Sequence, residues 1–236
     1  MPLPVATIDK LAFGGNGVCR IDGKVCFVPF SCPGDEVSLR ISAQKKSYCT
    51  ASIAEIKKPS PSRTVPECSI FGACGGCNWQ HISYPAQLEH KRLILAETLW
   101  RGARVPAGLI EDVVAASSRY AYRSRLQFKV SVQNGSLCIG FYRQGSHQVV
   151  DAAGGCPVAV PVINQALNSF RVVLQSYPDI ESISQISIDA GDGGVVVVIH
   201  HNGRVTSKVK NYFIDRAGGF GPCTGLYLKT DNQLYG

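Results

Sequence analysis

Apolar and polar residues alternate with a period of two from Arg123 to Val132: Leu126, Phe128, Val130 and Val132 fall on one side, Arg123, Arg125, Gln127 and Lys129 on the other. That spacing predicts a half-buried strand. Asn134-Gly135 follows, a dipeptide suited to the left-handed backbone of a two-residue hairpin turn. Centring the turn there pairs Val132 with Leu137, Val130 with Ile139 and Phe128 with Phe141. The polar side then sets Gly140 opposite Lys129 and Tyr142 opposite Gln127, a basic face with a bare glycine and an aromatic that suits a nucleic-acid strand.

Residues 5–57 read as short strands at 8–13, 24–30, 36–42 and 48–56, separated by glycine turns, and predict a small closed barrel. Lys45, Lys46 and Tyr48 fall at its hairpin tip. Residues 57–63 carry three basic side chains and two prolines and read as a stiff linker. Ser83 and Pro85 open a helix that Gly102 stops, with Leu88, Leu95 and Leu99 on one stripe. A second amphipathic helix is predicted at 164–177 and a further hairpin at 183–199, whose five-residue apolar run suggests a strand covered on both faces.

Composition narrows the class. With 45% hydrophobic and 17% charged residues the chain reads as a soluble globular protein. No apolar run is long enough for a membrane span, and the start has no export-signal pattern, so a cytoplasmic location is expected. The net charge of +7 is uneven: residues 1–66 carry 9 basic and 5 acidic side chains, residues 67–160 carry 9 and 6, and residues 161–236 carry 6 and 6. An excess confined to the first two thirds suits a polyanion such as RNA.

Ten cysteines in a reducing compartment point to ligation or packing. Cys19, Cys26, Cys32, Cys49, Cys138 and Cys223 stand singly and read as small buried hydrophobes. Cys68, Cys74 and Cys77 crowd into ten residues, with two glycines between the last two, and Cys156 stands alone in Gly154-Gly155-Cys156-Pro157. A tight local group with one remote thiolate resembles the ligand set of a 4Fe–4S cluster. Zinc, uncommitted thiols and a Cys74–Cys77 disulfide are the alternatives.

Other sequence features carry no site. Asp189-Ala190-Gly191-Asp192-Gly193-Gly194 is similar to an acidic cofactor loop, but a strand follows it where such a loop needs a helix. Gly14-Gly15-Asn16-Gly17 fails likewise. His200 and His201 are neighbours on a strand and point to opposite faces.

Together these residues resemble the N-terminal part of the RNA uracil-5-methyltransferase family, especially its 23S ribosomal RNA members with an iron–sulfur cluster. Phe13-Gly14-Gly15-Asn16-Gly17-Val18 and the run from Phe27 to Asp35 resemble its TRAM domain. Pro59 to Arg63, Cys68, Cys74 to His81, and Gln87 to Lys91 resemble its cluster loop and following helix. Tyr122-Arg123-Ser124-Arg125, Gly140-Phe141 and Cys156-Pro157 resemble its central domain.

The resemblance implies a mainly β chain with minor α. A five-stranded OB-like TRAM barrel (1–58) is followed by a linker and iron–sulfur loop (59–82), a helix (83–112), and a β-rich α+β central domain (113–236). Cys68, Cys74, Cys77 and Cys156 are the implied cluster ligands. Lys45, Lys46, Tyr48, Arg123, Arg125, Lys129 and Tyr142 are the expected RNA contacts. The family methylates uracil C5 from S-adenosylmethionine, with a cysteine thiolate adding to C6 and a base removing the C5 proton. Those groups lie in a C-terminal Rossmann-like domain that is expected to be absent here, leaving helix 83–112 without its dock. The fragment is therefore expected to be monomeric, to bind RNA, with 23S rRNA favoured, and to lack methyl transfer by itself. The alternatives are a portion of a tRNA uracil-5-methyltransferase, a stand-alone RNA-binding module whose cluster senses redox state, and an electron carrier.

Overall fold

The structure is a computed structural model that describes residues 3–231 and 233–236. The chain forms two units: Met1–Glu67 with Cys77–Ser117, and Cys68–Gly76 with Ser118–Gly236.

The first unit is built on strands β1 (Val5–Thr7), β2 (Lys10–Leu11), β3 (Gly17–Ile21), β4 (Lys24–Val28), β5 (Glu36–Gln44) and β6 (Tyr48–Lys58), in the order β1-β5-β6-β4-β3-β2. They share one core of Ile8, Cys19, Cys26, Val28, Val37, Leu39, Cys49 and Ala51. Three register shifts between β5 and β6 bend that long pair, as bulges do where a sheet curls.

Among the described residues the sheet has six strands, not the five expected. The strand not foreseen is β3, joined to the expected β4 by a turn on Asp22-Gly23, whose φ angles of 48° and 77° are those of the two-residue turn that matches strand twist. The strand expected at 8–13 is broken as well. Ile8 donates to Asp35 O and Asp9 to Val18 O, which splits this stretch between two partners.

Residues 59–63 are not a free spacer. Ser60 is buried, and Arg63 donates from Nε to Asp35 Oδ1 and from Nη2 to Asp35 Oδ2, both at 2.7 Å. Asp35 also accepts from the Cys32 and Ser60 amides, at 2.6 and 2.9 Å. Arg63 Nη2 reaches Phe30 O at 3.0 Å, and His81 Nε2 lies 3.1 Å from Ser31 O.

Helix α1 (Tyr84–Ala103) has proline in its first turn, but Ser83 makes no side-chain cap. Gln87 instead ties the first turn to the loop before it, its Nε2 donating to the Trp79 and Ile82 carbonyls. The helix runs past Gly102 and ends where Arg104 takes the left-handed conformation, φ 56°. It buries Ala86 and Ala96, whereas Leu95 is 48% exposed and Leu88 and Leu99 are half-buried.

The second unit has β7 (Arg125–Gln133), β8 (Ser136–Tyr142), β9 (Val149–Asp151), α2 (Pro161–Gln175), β10 (Ile183–Gly191), β11 (Gly194–His201), α3 (Ser207–Ile214), β12 (Cys223–Lys229) and β13 (Leu234–Tyr235). Its sheet order is β13-β12-β11-β10-β7-β8-β9. The β7–β8 register matches the expectation: Val132 faces Leu137, Val130 faces Ile139 and Lys129 faces Gly140. β11 and β12 are parallel, so α3 is a crossover helix between them.

Helix α2 lays Ile163, Ala166, Leu167, Phe170, Val173 and Leu174 into the same core as Phe128, Ile186, Ile188, Val195, Val197 and Ile199. Full burial of side chains of this size stabilises by about 1.5–3 kcal/mol each. Phe170 also stacks on Phe220 with centroids 4.7 Å apart. The apolar run of β11 is covered on one face only. Val195, Val197 and Ile199 are fully buried while Val196 is 39% exposed, because the helices pack on one side of the sheet. No helix among the described residues is long and apolar enough to cross a membrane.

Candidate nucleic-acid interface and thiol loop

Period-two patterning sends one side of the second sheet into the core and leaves the other polar. One row of this polar face runs strand by strand through Lys229, His200, Gln185, Lys129, Gly140 and Asp151. Lys129 Nζ donates to Gln185 Oε1, and Gln185 Nε2 donates to Ser187 Oγ at 3.0 Å. Gln185 Nε2 also lies 3.2 Å from His200 Nε2. Lys129 Nζ sits 5.4 Å from the centroid of the Tyr142 ring, a cation–π distance. Burial, with Lys229 and Lys129 nearby, pushes the His200 pKa down, so this imidazole is neutral at pH 7. The face dips into a hollow of about 620 Å³ lined by Arg125, Gln127, Asp189, His200 and Lys229 among others.

Arg125, Lys129 and Tyr142 therefore share a sheet, as the alternation implies. Arg125 is exposed but ion-paired to Asp189, its cross-strand partner. Arg123 is exposed and lies ahead of β7. Its backbone pairs with the segment after Cys156, its amide donating to Val158 O at 2.8 Å. Gly140 is not the open floor expected. A Cβ there would stand 1.9 Å from Val150 O, so glycine serves the close approach of β9 and not a ligand. His200 and His201 diverge as expected, with His201 buried 2.9 Å from Ser182 Oγ.

In the first unit, Lys45 and Lys46 are exposed at the β5–β6 tip, where the Lys45 amide donates to Tyr48 O at 2.8 Å. The Tyr48 ring meets Phe27 edge-on at 5.8 Å.

The thiol loop, residues 68–76, is a succession of turns: Phe71 N donates to Cys68 O at 3.1 Å and Cys74 N to Ile70 O at 2.9 Å. Gly76 N points at Cys74 Sγ, 3.4 Å away, and Gly75 N anchors the loop on Tyr142 O at 2.9 Å. A Cβ at Gly75 would press on Tyr142 O and Gln144 Cα, so this glycine is needed for the close approach. Cys156 is held through its backbone by Asn164, whose Oδ1 accepts from Cys156 N and whose Nδ2 donates to Cys156 O.

Cys68, Cys74 and Cys156 belong to the second unit and Cys77 to the first. None of the ten cysteines is in a disulfide, so the Cys74–Cys77 alternative is removed. Among the described residues, no three His, Cys, Asp or Glu side chains converge in an arrangement that could hold a metal ion. Burial pushes the Cys19, Cys26 and Cys32 thiols up, keeping them protonated and unreactive. The Cys138 and Cys223 thiols shift the same way.

Three features escape the sequence reading: the Asp35–Arg63 pair, the His200–Gln185–Lys129 network and the polar residues of β12. None of the three has a local signal, whereas the missed strand β3 does, in the Asp22-Gly23 turn that joins it to β4.

Residues 5–62 match the TRAM-domain model described as that of tRNA (uracil(54)-C(5))-methyltransferase. The chain is 33% identical over 198 residues to the 23S rRNA (uracil(1939)-C(5))-methyltransferase RlmD of Bordetella parapertussis, covering 84% of this chain and 42% of that protein. With the RlmD of Halomonas elongata it shares 35% over 225 residues, 94% of this chain and 44% of the relative. The chain thus spans somewhat under half the length of the curated relatives it matches. The crystal structure of the Pyrococcus abyssi tRNA (uracil-54, C5)-methyltransferase in complex with S-adenosyl-L-homocysteine aligns with a TM-score of 0.68 at 22% identity, covering 97% of this chain and 52% of that one.

The chain therefore carries a TRAM domain and is homologous to RNA uracil-C5 methyltransferases. The expected fold class, defined by an absent methyltransferase domain, is corrected: nearly the whole chain follows the fold of a methyltransferase. The sequence reading assigns no element after the 183–199 hairpin and so misses the parallel β11–α3–β12 crossover. The inactivity inferred from that absence loses its ground with it.

Proposed function

We propose that this chain is the RNA-binding portion of an S-adenosylmethionine-dependent RNA uracil-C5 methyltransferase that acts on 23S rRNA. The observation that carries the reading is the run of similarity to 23S rRNA methyltransferases over 84–94% of the chain. In this reading residues 1–58 and 113–236 hold the RNA. Lys45, Lys46 and Tyr48 act at the barrel tip, and Arg123, Arg125, Lys129 and Tyr142 at the sheet. Cations near phosphates supply affinity, and Tyr142, with Lys129 over its ring, offers a surface for a base. The neutral His200 and Gln185 hold Lys129 in place without adding charge. The reading supposes a cytoplasmic, monomeric protein.

The test is binding of the 236-residue chain to 23S rRNA fragments and to tRNA over a series of salt concentrations, with methyl incorporation from S-adenosylmethionine measured in parallel. Tighter binding to an rRNA fragment supports the reading, and equal, weak binding to every polyanion sinks it. A tRNA substrate is the second reading, favoured by the TRAM model matched at 5–62 and by the structural neighbour.

Cys68, Cys74, Cys77 and Cys156 are proposed as ligands of a 4Fe–4S cluster. The support is chemical: four thiols, two glycines that let the loop turn tightly, and an amide directed at Cys74 Sγ. When bound, the cluster would tie the loop to the segment at Cys156, a cross-link between distant parts of the chain. Anaerobically purified protein should be brown, with iron and acid-labile sulfide at about four each per chain. A colourless protein with stoichiometric zinc would exclude the cluster.

A further inference from the structure

Lys10, Phe13, Arg20, Phe27, Tyr48, Glu97 and Arg101 surround a hollow of about 500 Å³ in the first unit. Only Tyr48 among them is an expected RNA contact. We propose that the hollow takes one unpaired nucleobase of a bound RNA strand, stacked on Phe13; this rests on the RNA-binding reading above and deepens it.

The size lies within the range of small-ligand pockets. Its chemistry selects a base over a phosphate. Three aromatic rings contribute to the wall, and Phe13 is 88% exposed, a large apolar surface left in water at the side of the hollow. Phe27 and Tyr48 meet edge to face, so the Tyr48 ring is held by packing and not free to swing.

The charges inside are largely balanced. Lys10 Nζ donates to Glu97 Oε1 at 2.6 Å, and Arg101 Nη2 donates to the same oxygen. The Lys10 bond, against some burial and with Arg101 adding, holds the Glu97 carboxyl below its usual pKa, so it stays ionised. Asp9 adds a second carboxylate to the lining. A phosphate would meet both, with Lys10 and Arg101 committed to Glu97 and Arg20 donating to Gly23 O, whereas a flat base with amino or imino N–H donors finds acceptors there. The strand's phosphates have cations at the rim, because Lys45 and Lys46 immediately precede Ser47 and Tyr48 of the lining.

The backbone supports this assignment. Phe13 precedes the glycine loop, where Trp79 Nε1 donates to Gly15 O at 3.1 Å and Asn78 Nδ2 to Gly14 O at 3.2 Å. A Cβ at Gly15 would fall 2.7 Å from Trp79 Nε1. The loop is therefore clamped, and Phe13 stands on a fixed base.

The experiment compares the 236-residue chain with Phe13→Ala and Phe13→Trp. The probes are a single-stranded RNA carrying one 2-aminopurine and a fully paired duplex of equal length. Phe13 buries almost nothing, so its replacement leaves the core intact. Phe13→Ala should weaken single-strand binding about 5-fold to 150-fold, the range for loss of one base–aromatic stack, and should relieve 2-aminopurine quenching. Phe13→Trp should restore both, and duplex binding should not change among the three proteins. Unchanged single-strand affinity and quenching in Phe13→Ala would overturn this inference while leaving RNA binding itself in place. If the unaltered chain bound neither RNA, the reading beneath it would fall instead. Uridine or adenosine monophosphate binding as tightly as the oligonucleotide would mark a free-nucleotide site and also overturn the proposal.

Discussion

Arg63 grips both carboxylate oxygens of Asp35, at 2.7 Å each, and Asp35 is completely buried. The pair locks the segment after β6 onto the β4–β5 turn. It also holds in place a run that contains two prolines. The Asp35 oxygens are satisfied by four donors, two from Arg63 and two backbone amides, so the buried charge has full compensation.

Removing one partner of this pair should cost about 3–5 kcal/mol, because the other charge is left buried and uncompensated. Arg63→Ala should therefore lower the urea midpoint of the first unit strongly. The exposed pair Lys57–Glu55 is the control, and Lys57→Ala should cost no more than about 1 kcal/mol. Equal effects for the two variants would show that the Asp35–Arg63 pair is not structural.

Asp35 also sets an acid limit. Burial opposes its charge, but Arg63 and the Ser60 and Cys32 amides outweigh burial and hold its pKa below the ordinary carboxylate value. A depressed folded pKa gives stability that is present above the unfolded value of about 3.9 and is lost as pH falls through the folded value. Stability should decline below about pH 4, and the decline should be shallower in Asp35→Asn, from a lower starting point.

A second pH dependence comes from histidines. Burial pushes the pKa of His81, His90 and His200 down. Unfolded histidine takes up a proton near about pH 6.5 while these remain neutral, so the unfolded state gains as pH falls. The urea midpoint should drop between about pH 7 and pH 5. A flat or rising midpoint over that interval would contradict the assignment.

Gly140 should tolerate no side chain. Gly140→Ala places a Cβ against Val150 O and should destabilise the second unit by about 1–3 kcal/mol, read as a lower melting temperature. Gly191→Ala meets nothing within 4 Å and should lie close to the parent. If both alanines were tolerated equally, the approach of β9 to β8 would be looser than the geometry indicates.

On the sheet face, Arg123→Ala with Arg125→Ala should weaken binding of single-stranded RNA and reduce the slope of log K against log salt by about 0.7 for each phosphate left without its cation. An unchanged slope would make these arginines ordinary surface residues. Asp189→Asn is informative in the opposite sense. It removes the acid that pairs with Arg125 and should raise affinity at low salt.

What the sequence alone determined about this chain is what short-range pattern encodes. The β7–β8 register follows from alternation plus Asn134-Gly135, and the opposite facing of His200 and His201 follows from strand geometry. Asp22-Gly23 carried an equally local signal for the sixth strand. The tertiary structure decided the rest, because each remaining feature depends on a partner far away in the chain. Asp35 finds Arg63 across 28 residues, and Arg125 finds Asp189 across 64. Gly140 is glycine because β9 returns over it, and Val196 is exposed because helices cover only one face of the sheet. Phe13 comes to line a hollow only because β4, the β5–β6 tip and α1 close beside it. Local periodicity sets which way a side chain points, but what it meets there is fixed only when the layers pack.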